Sequence, residues 1–201
     1  MALREYRRAF FMDKFLIVGL GNIGAEYEHT RHNIGFDILD HFVKMHQTDF
    51  ITDRLAYKAE FSIKGRKIIC IKPTTYMNLS GRAVKYWLDK EKIDIEHMLV
   101  LVDELAVSIN KIKIKPAGSD GGHNGLKSIQ ESIGTTKYPR LRFGIGNHFP
   151  KGRQVEYVLG RWDIKEEDIV AKKIASSVQA IEDFVFIGLE KTMANVNQLE
   201  F

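Results

Sequence analysis

The 201-residue chain holds a single cysteine, Cys70, set in the apolar run Ile68-Ile69-Cys70-Ile71. One thiol makes no disulfide framework, and its apolar setting predicts a buried, inert group. That excludes a disulfide-stapled secreted domain and a cysteine nucleophile, and points to the cytoplasm. Long hydrophobic runs are missing too. The longest charge-free apolar stretch, Phe15 to Ala25, has about half of the ~20 residues a membrane span needs, so no membrane association is expected. Ala9-Phe10-Phe11-Met12 is too short for the core of a signal peptide and is cut off by Asp13-Lys14, so residues 1–13 read as an extension ahead of the folded chain. The sequence has no repeat, no low-complexity tract and no linker. It has no G-x-S-x-G elbow, which removes the usual setting of a serine nucleophile, and Asn124-Gly125-Leu126-Lys127-Ser128 lacks the Gly-Lys pair of a phosphate loop.

What is present is enough for one core. Hydrophobic residues make up 44% of the chain, and 30 Lys and Arg against 26 Asp and Glu leave a net charge of +4, which favours an anionic partner such as nucleic acid. Phe15 to Leu20, Lys67 to Lys72 and Met98 to Val102 are short runs rich in Val, Ile and Leu, the pattern of buried parallel strands. Tyr57 to Ile63 and Lys67 to Ile71, joined by Lys64-Gly65-Arg66, read as a hairpin. Helical spacing appears in Ile34, Ile38, Leu39, Phe42 and Val43, with Asn33 available as N-cap, and again in Val84, Trp87 and Leu88. A third helix is expected over Leu126 to Ile133. Asp163 and Glu166 form a capping box for a long amphipathic helix that Gly188 ends. Strands alternating with helices predict a single three-layer α/β domain over residues 14–201, with a twisted, mostly parallel (mixed) central sheet flanked by helices.

The turn Gly19-Leu20-Gly21-Asn22-Ile23-Gly24 has the spacing of a dinucleotide-binding fingerprint, which raises the possibility of an NAD-dependent oxidoreductase. A real site of that kind opens its helix inside the fingerprint and carries an acidic residue about 20 positions later, after a second strand. Here helical periodicity starts only at Ile34, and the chain about 20 residues past Gly24 is still in the first helix. The glycines then mark a strand-to-turn transition.

Parallel strands bring their carboxyl ends to one edge of the sheet, where α/β proteins bind ligands. Strand one delivers Asn22 and then His32, the second run Asn78, the third Asp103, and the Gly-rich loop Gly118 to Gly125 adds His123 and Asn124. This set suits hydrolysis by an activated water. A neutral imidazole at His32 takes the proton, Asp103 on its other nitrogen sets the tautomer, and the asparagine amides bind the carbonyl and the oxyanion it becomes. His29 and His32, three apart, offer two metal ligands, but no third has recognisable spacing. Two segments alternate cations with apolar residues, Lys111 to Lys115 and Arg140 to Phe143. Such cations either protect exposed sheet or hold a phosphate beside the cleft.

Six blocks, in order, resemble the bacterial peptidyl-tRNA hydrolase family: Val18 to Tyr27, Thr30 to Gly35, Lys72 to Gly81, Asp103 to Leu105, Gly121 to Leu126 and Arg140 to Gly146. The resemblance runs from about Lys14 to the C-terminus. It implies an esterase that cuts the bond between a peptide and the 3′-terminal ribose of tRNA, recycling tRNA from stalled translation, as a cytoplasmic monomer without metal or organic cofactor. By position, His32 resembles the general base and Asp103 its orienting carboxylate. Asn22 matches the residue that separates peptidyl-tRNA from aminoacyl-tRNA, and Asn78 and Asn124 match those that bind the peptide main chain and the reacting carbonyl. Tyr27, Tyr76, Met77 and His123 match substrate-binding positions, and Lys113, Lys115 and Arg142 a clamp for the tRNA 5′-phosphate. The partners implied are the acceptor stem and 3′ end of tRNA and the nascent peptide. One departure stands out: after Leu105 the family commonly has a Pro-containing turn, where this chain has Ala106-Val107-Ser108-Ile109. The alternatives are a non-catalytic RNA-binding protein on the same fold, which would have no need of His32 and Asp103, and the NAD-dependent oxidoreductase.

Overall fold

A computed structural model describes residues 13–201; residues 1–12, and with them nearly all of the expected extension, lie outside the described residues. Seven strands form one sheet: β1 (Lys14–Gly19), β2 (Ile51–Asp53), β3 (Ala56–Ile63), β4 (Arg66–Pro73), β5 (Met98–Glu104), β6 (Ile112–Lys115) and β7 (Arg140–Gly144). Their spatial order is β2-β3-β4-β1-β5-β7-β6. β1 lies parallel to both β4 and β5, and β5 is parallel to β7, whereas β2, β3 and β6 are antiparallel to their neighbours. The sheet is therefore mixed with a parallel centre. The three apolar runs are its inner strands, and β3–β4 is the expected hairpin.

Strand period decides what each helix covers. Phe15, Ile17, Ile68, Cys70, Leu99, Leu101, Leu141 and Phe143 face one layer, built from α1 (Ile34–Met45), α5 (Ile164–Ile187) and α6 (Leu189–Val196). Leu16, Val18, Ile69, Ile71, Val100 and Val102 face the other, built from α2 (Ser80–Glu91) and α3 (Asn124–Ile133). Burial drives the Cys70 thiol pKa upward, so it stays protonated, as its apolar setting predicts. The capping box of Asp163 and Glu166 forms at the start of α5, and Gly188, at φ 84°, ends that helix.

Gly19, the first of the fingerprint glycines, answers a packing need. A Cβ on Gly19 would stand 2.3 Å from the Gly35 carbonyl oxygen, and one on Gly35 would stand 2.5 Å from the Leu20 nitrogen and 2.7 Å from the Leu101 carbonyl oxygen. The first turn of α1 thus sits directly on the ends of β1 and β5, closer than any side chain permits. Between Gly24 and α1 the chain makes two 3-10 turns, Ala25–Tyr27 and Arg31–Asn33, with no helix N-terminus at the glycines.

The connection after Leu105, unusual in sequence, is tied down by α5. Lys173 is fully buried and donates to the carbonyls of Ile109 at 2.7 Å and Gly144 at 2.6 Å, with its ammonium 3.7 Å from the centre of the Phe143 ring. Burial pulls its pKa down to about 7.

Candidate active site

The carboxyl ends of β1 and β5 and the N-terminus of α3 open on a cavity of about 280 Å³. Asn22, His32, Met77, Asp103, His123 and Asn124 line it, all six of them candidates on sequence grounds. Asp103, at the end of β5, is buried, and its Oδ1 receives two imidazoles: Nδ1 of His32 at 3.0 Å and Nε2 of His123 at 3.0 Å.

The hydrogen bonds fix the protons. Nδ1 of His123 accepts the amides of Gly125 at 3.1 Å and Leu126 at 3.4 Å, capping α3, so a neutral His123 carries its proton on Nε2 and donates it to Asp103. The carboxylate has no proton to give, so His32 donates from Nδ1 and keeps the lone pair on Nε2. Burial disfavours charge on both partners, yet the pair outweighs it. Desolvation alone would lower His32, but the charge and hydrogen bond of Asp103 raise its pKa above the ordinary 6.5. Desolvation alone would raise Asp103, but the two imidazoles hold its carboxyl well below the usual carboxylate range. His32, Asp103 and His123 also present ligand atoms within 4.8 Å of one another. A metal on Nε2 of His123 would force that ring's proton onto Nδ1, against two backbone donors, so the cluster is built for protons. His29 turns away to Asp37, 3.1 Å from its Nδ1.

Asn22 is held by a residue expected to do something else. Asn33 stands at the N-cap of α1, as expected, but makes no capping bond. Its Oδ1 accepts the Asn22 amide at 2.8 Å and its Nδ2 donates to the Asn22 carbonyl at 2.9 Å. A helix N-terminus offers donors only, whereas Asn22 offers one donor and one acceptor, the match for a carboxamide.

The remaining candidates lie apart. Tyr27, Tyr76 and Asn78 do not line the cavity, and Tyr76 is 79% exposed on the segment before the 3-10 turn Met77–Leu79. Lys113 and Arg142 face each other across β6 and β7. Arg142 is engaged by Glu104, with Nε at 2.7 Å and a terminal nitrogen at 2.6 Å from Oε2, and Lys113 donates to the Asn197 carbonyl. Lys115 is exposed, with no ion-pair partner among the described residues.

One wall of the cavity has no sequence signal. It comes from α4 (Gln154–Val158), a five-residue helix that supplies Gln154, Val155 and Val158, with Leu159 directly after it. Arg31 connects this wall to the histidine segment: its guanidinium lies 4.4 Å from the Tyr157 ring centre and 5.1 Å from that of Trp162, and bonds Glu166 at 2.7 Å.

This sheet, with a buried carboxylate holding two imidazoles in a polar cavity at its carboxyl edge, has the architecture of an α/β enzyme. The family model described as peptidyl-tRNA hydrolase matches residues 16–201, and the chain belongs to that family. It is 47% identical over 185 residues to the peptidyl-tRNA hydrolase of Phocaeicola vulgatus, covering 92% of this chain and 99% of that protein. With the peptidyl-tRNA hydrolase of Porphyromonas gingivalis it shares 47% identity over 184 residues, 92% of this chain and all of the other. A crystal structure of peptidyl-tRNA hydrolase from Acinetobacter baumannii superposes with a TM-score of 0.88 at 31% identity, covering 96% of this chain and 98% of that one.

Proposed function

We propose that this chain hydrolyses the ester linking a peptide to the 3′-terminal ribose of tRNA, with His32 as general base. The observation that carries this reading is the 3.0 Å contact of His32 Nδ1 with Asp103 Oδ1, which leaves Nε2 for a water in the cavity. Nε2 takes a proton as the water oxygen attacks the ester carbonyl. Asp103 stabilises the imidazolium that forms, and the amides of Asn124 and Asn78 take the oxyanion and the peptide main chain. The tetrahedral intermediate collapses, the bond to the ribose oxygen breaks, and the imidazolium returns the proton to that oxygen. Tyr27, Tyr76 and Met77 line the path of the substrate, and Asn22, held by Asn33, separates peptidyl from aminoacyl esters.

Purified protein offered an N-blocked aminoacyl-tRNA and its free-amine counterpart will release tRNA from the blocked ester only. Equal cleavage of both removes the role of Asn22, and no cleavage of either removes the activity.

Lys113, Lys115 and Arg142 form the clamp for the tRNA 5′-phosphate in this reading. Binding then weakens as salt rises, and Lys115→Ala lowers the slope of log K against log salt by about one. An unchanged slope takes Lys115 out of the clamp. The same reading makes the protein a cytoplasmic monomer. Among the described residues no helix is long and apolar enough to cross a membrane.

A further inference from the structure

Arg140 belongs by sequence with the cations of the phosphate face, and its surroundings are of another kind. It is 2% exposed, although it opens β7 beside Lys115 of the edge strand β6. No carboxylate among the described residues pairs with it. Its guanidinium instead lies 4.3 Å from the Tyr138 ring centre and donates to three carbonyls: Ser119 at 2.9 Å, Gly118 at 3.0 Å and Thr136 at 3.0 Å. Two of these belong to the loop that climbs from β6 to α3.

Besides Arg140, the loop is held at Gly118, whose amide donates to the Thr136 carbonyl at 3.2 Å and whose carbonyl accepts Gln130 Nε2 at 3.3 Å. Gly118, Gly121 and Gly122 all take positive φ, and a Cβ on any of them would meet nothing within 4 Å. Beyond Ser119, the Asp120 side chain accepts the Gly122 amide at 2.8 Å and the Asp120 carbonyl accepts the His123 amide at 3.0 Å. His123 then reaches Asp103. A short chain of contacts therefore runs from Arg140 through Gly118, Ser119 and Asp120 to His123 and Asn124.

We infer that Arg140 is a positioning residue: its buried guanidinium splints the Gly-rich loop, so that His123 lands on Asp103 and Asn124 enters the cavity, and it makes no contact with tRNA phosphate. A planar fork spanning three carbonyls suits arginine and not lysine, whose ammonium is a single point of attachment. The inference rests on the proposed part of the loop in catalysis.

The test measures kcat, KM and salt slope with an N-blocked aminoacyl-tRNA, and the imidazole ¹H–¹⁵N correlations of His123, in Arg140→Met, Arg140→Lys and Asn124→Ala. In Arg140→Met, kcat falls by about 10²-fold, the cost of a displacement of about 1 Å at a reacting centre. KM changes less than kcat, the salt slope stays native, and the signal of the Nε2-protonated His123 is lost. Arg140→Lys, which keeps the charge, recovers only part of kcat; should Arg140→Met not fold, Arg140→Lys is read by the same criteria. Native kcat with a salt slope lower by about one, the mark of a phosphate contact, overturns the inference. So does a variant that loses thermal stability while kcat and the His123 signal stay native. Native kcat in Asn124→Ala overturns the reading of the loop and the inference with it, whereas loss there beside native Arg140→Met overturns the splint alone.

Discussion

His32→Ala will lose about 10³-fold or more in kcat while its affinity for tRNA stays close to native, because a general base contributes about 10²–10⁴-fold and His32 lies outside the cationic strands. Equal loss of turnover and affinity would remove the assigned role. The pH profile carries the same information. Nε2 must be unprotonated to accept a proton, so kcat/KM rises with pH through the His32 pKa of the free protein, which Asp103 holds above 6.5. The rise therefore falls on the alkaline side of a free histidine, and a flat profile from pH 5 to 8 contradicts it. Stability runs the other way in that window. A histidine whose pKa is raised on folding contributes stability that is fully present below its unfolded value and is lost as pH climbs through the folded one. The pH that frees the base is the pH that relaxes its ion pair.

Asp103→Asn will reduce kcat by about 10³–10⁴-fold with little change in fold, since the two side chains have nearly the same shape. The reason lies in the single oxygen that receives both imidazoles. An amide placed there has one acceptor and one donor. If its NH₂ faces His32, the ring must present a lone pair at Nδ1 and carry its proton on Nε2, and the base is gone. If its oxygen faces both rings, the tautomer survives but the charge that stabilises the imidazolium does not. Turnover within about tenfold of native would show that Asp103 acts only in packing. The variant will also change the acid limb of the stability curve. The depressed Asp103 carboxyl contributes stability above the unfolded carboxylate value, lost as pH falls through the folded one, and Asp103→Asn removes that dependence.

How far the site could be read from the chain is clearest residue by residue. His32, Asp103 and Asn124 were legible because each lies next to an element whose period is unmistakable, and parallel strands deliver the residues after them to one edge. Asn33 was legible as a helix start and not as the clamp on Asn22, since a carboxamide fits both settings and only the approach of residues 22 and 33 chooses between them. His123 carried no mark of its second bond to Asp103. Arg140 and Arg142 look alike in sequence, two residues apart on one strand and pointing to one side. The first is roofed by the loop and takes carbonyls, and the second meets Glu104. The wall from α4 left no pattern, because five residues are too few to show a period.

What the amino-acid order determined by itself was local: which runs extend, which coil, where glycine lets a helix settle on a strand end, and that one imidazole and one carboxylate share an edge. Those features come from side-chain period and backbone sterics, which act over a few residues. The tertiary structure alone decided which nitrogen faces which oxygen, that two histidines share one carboxylate, and that one arginine holds a loop while its neighbour binds an acid. Such choices depend on desolvation and on distances of a few ångströms between groups as far apart in the chain as residues 32 and 103, and those distances exist only once the layers have packed.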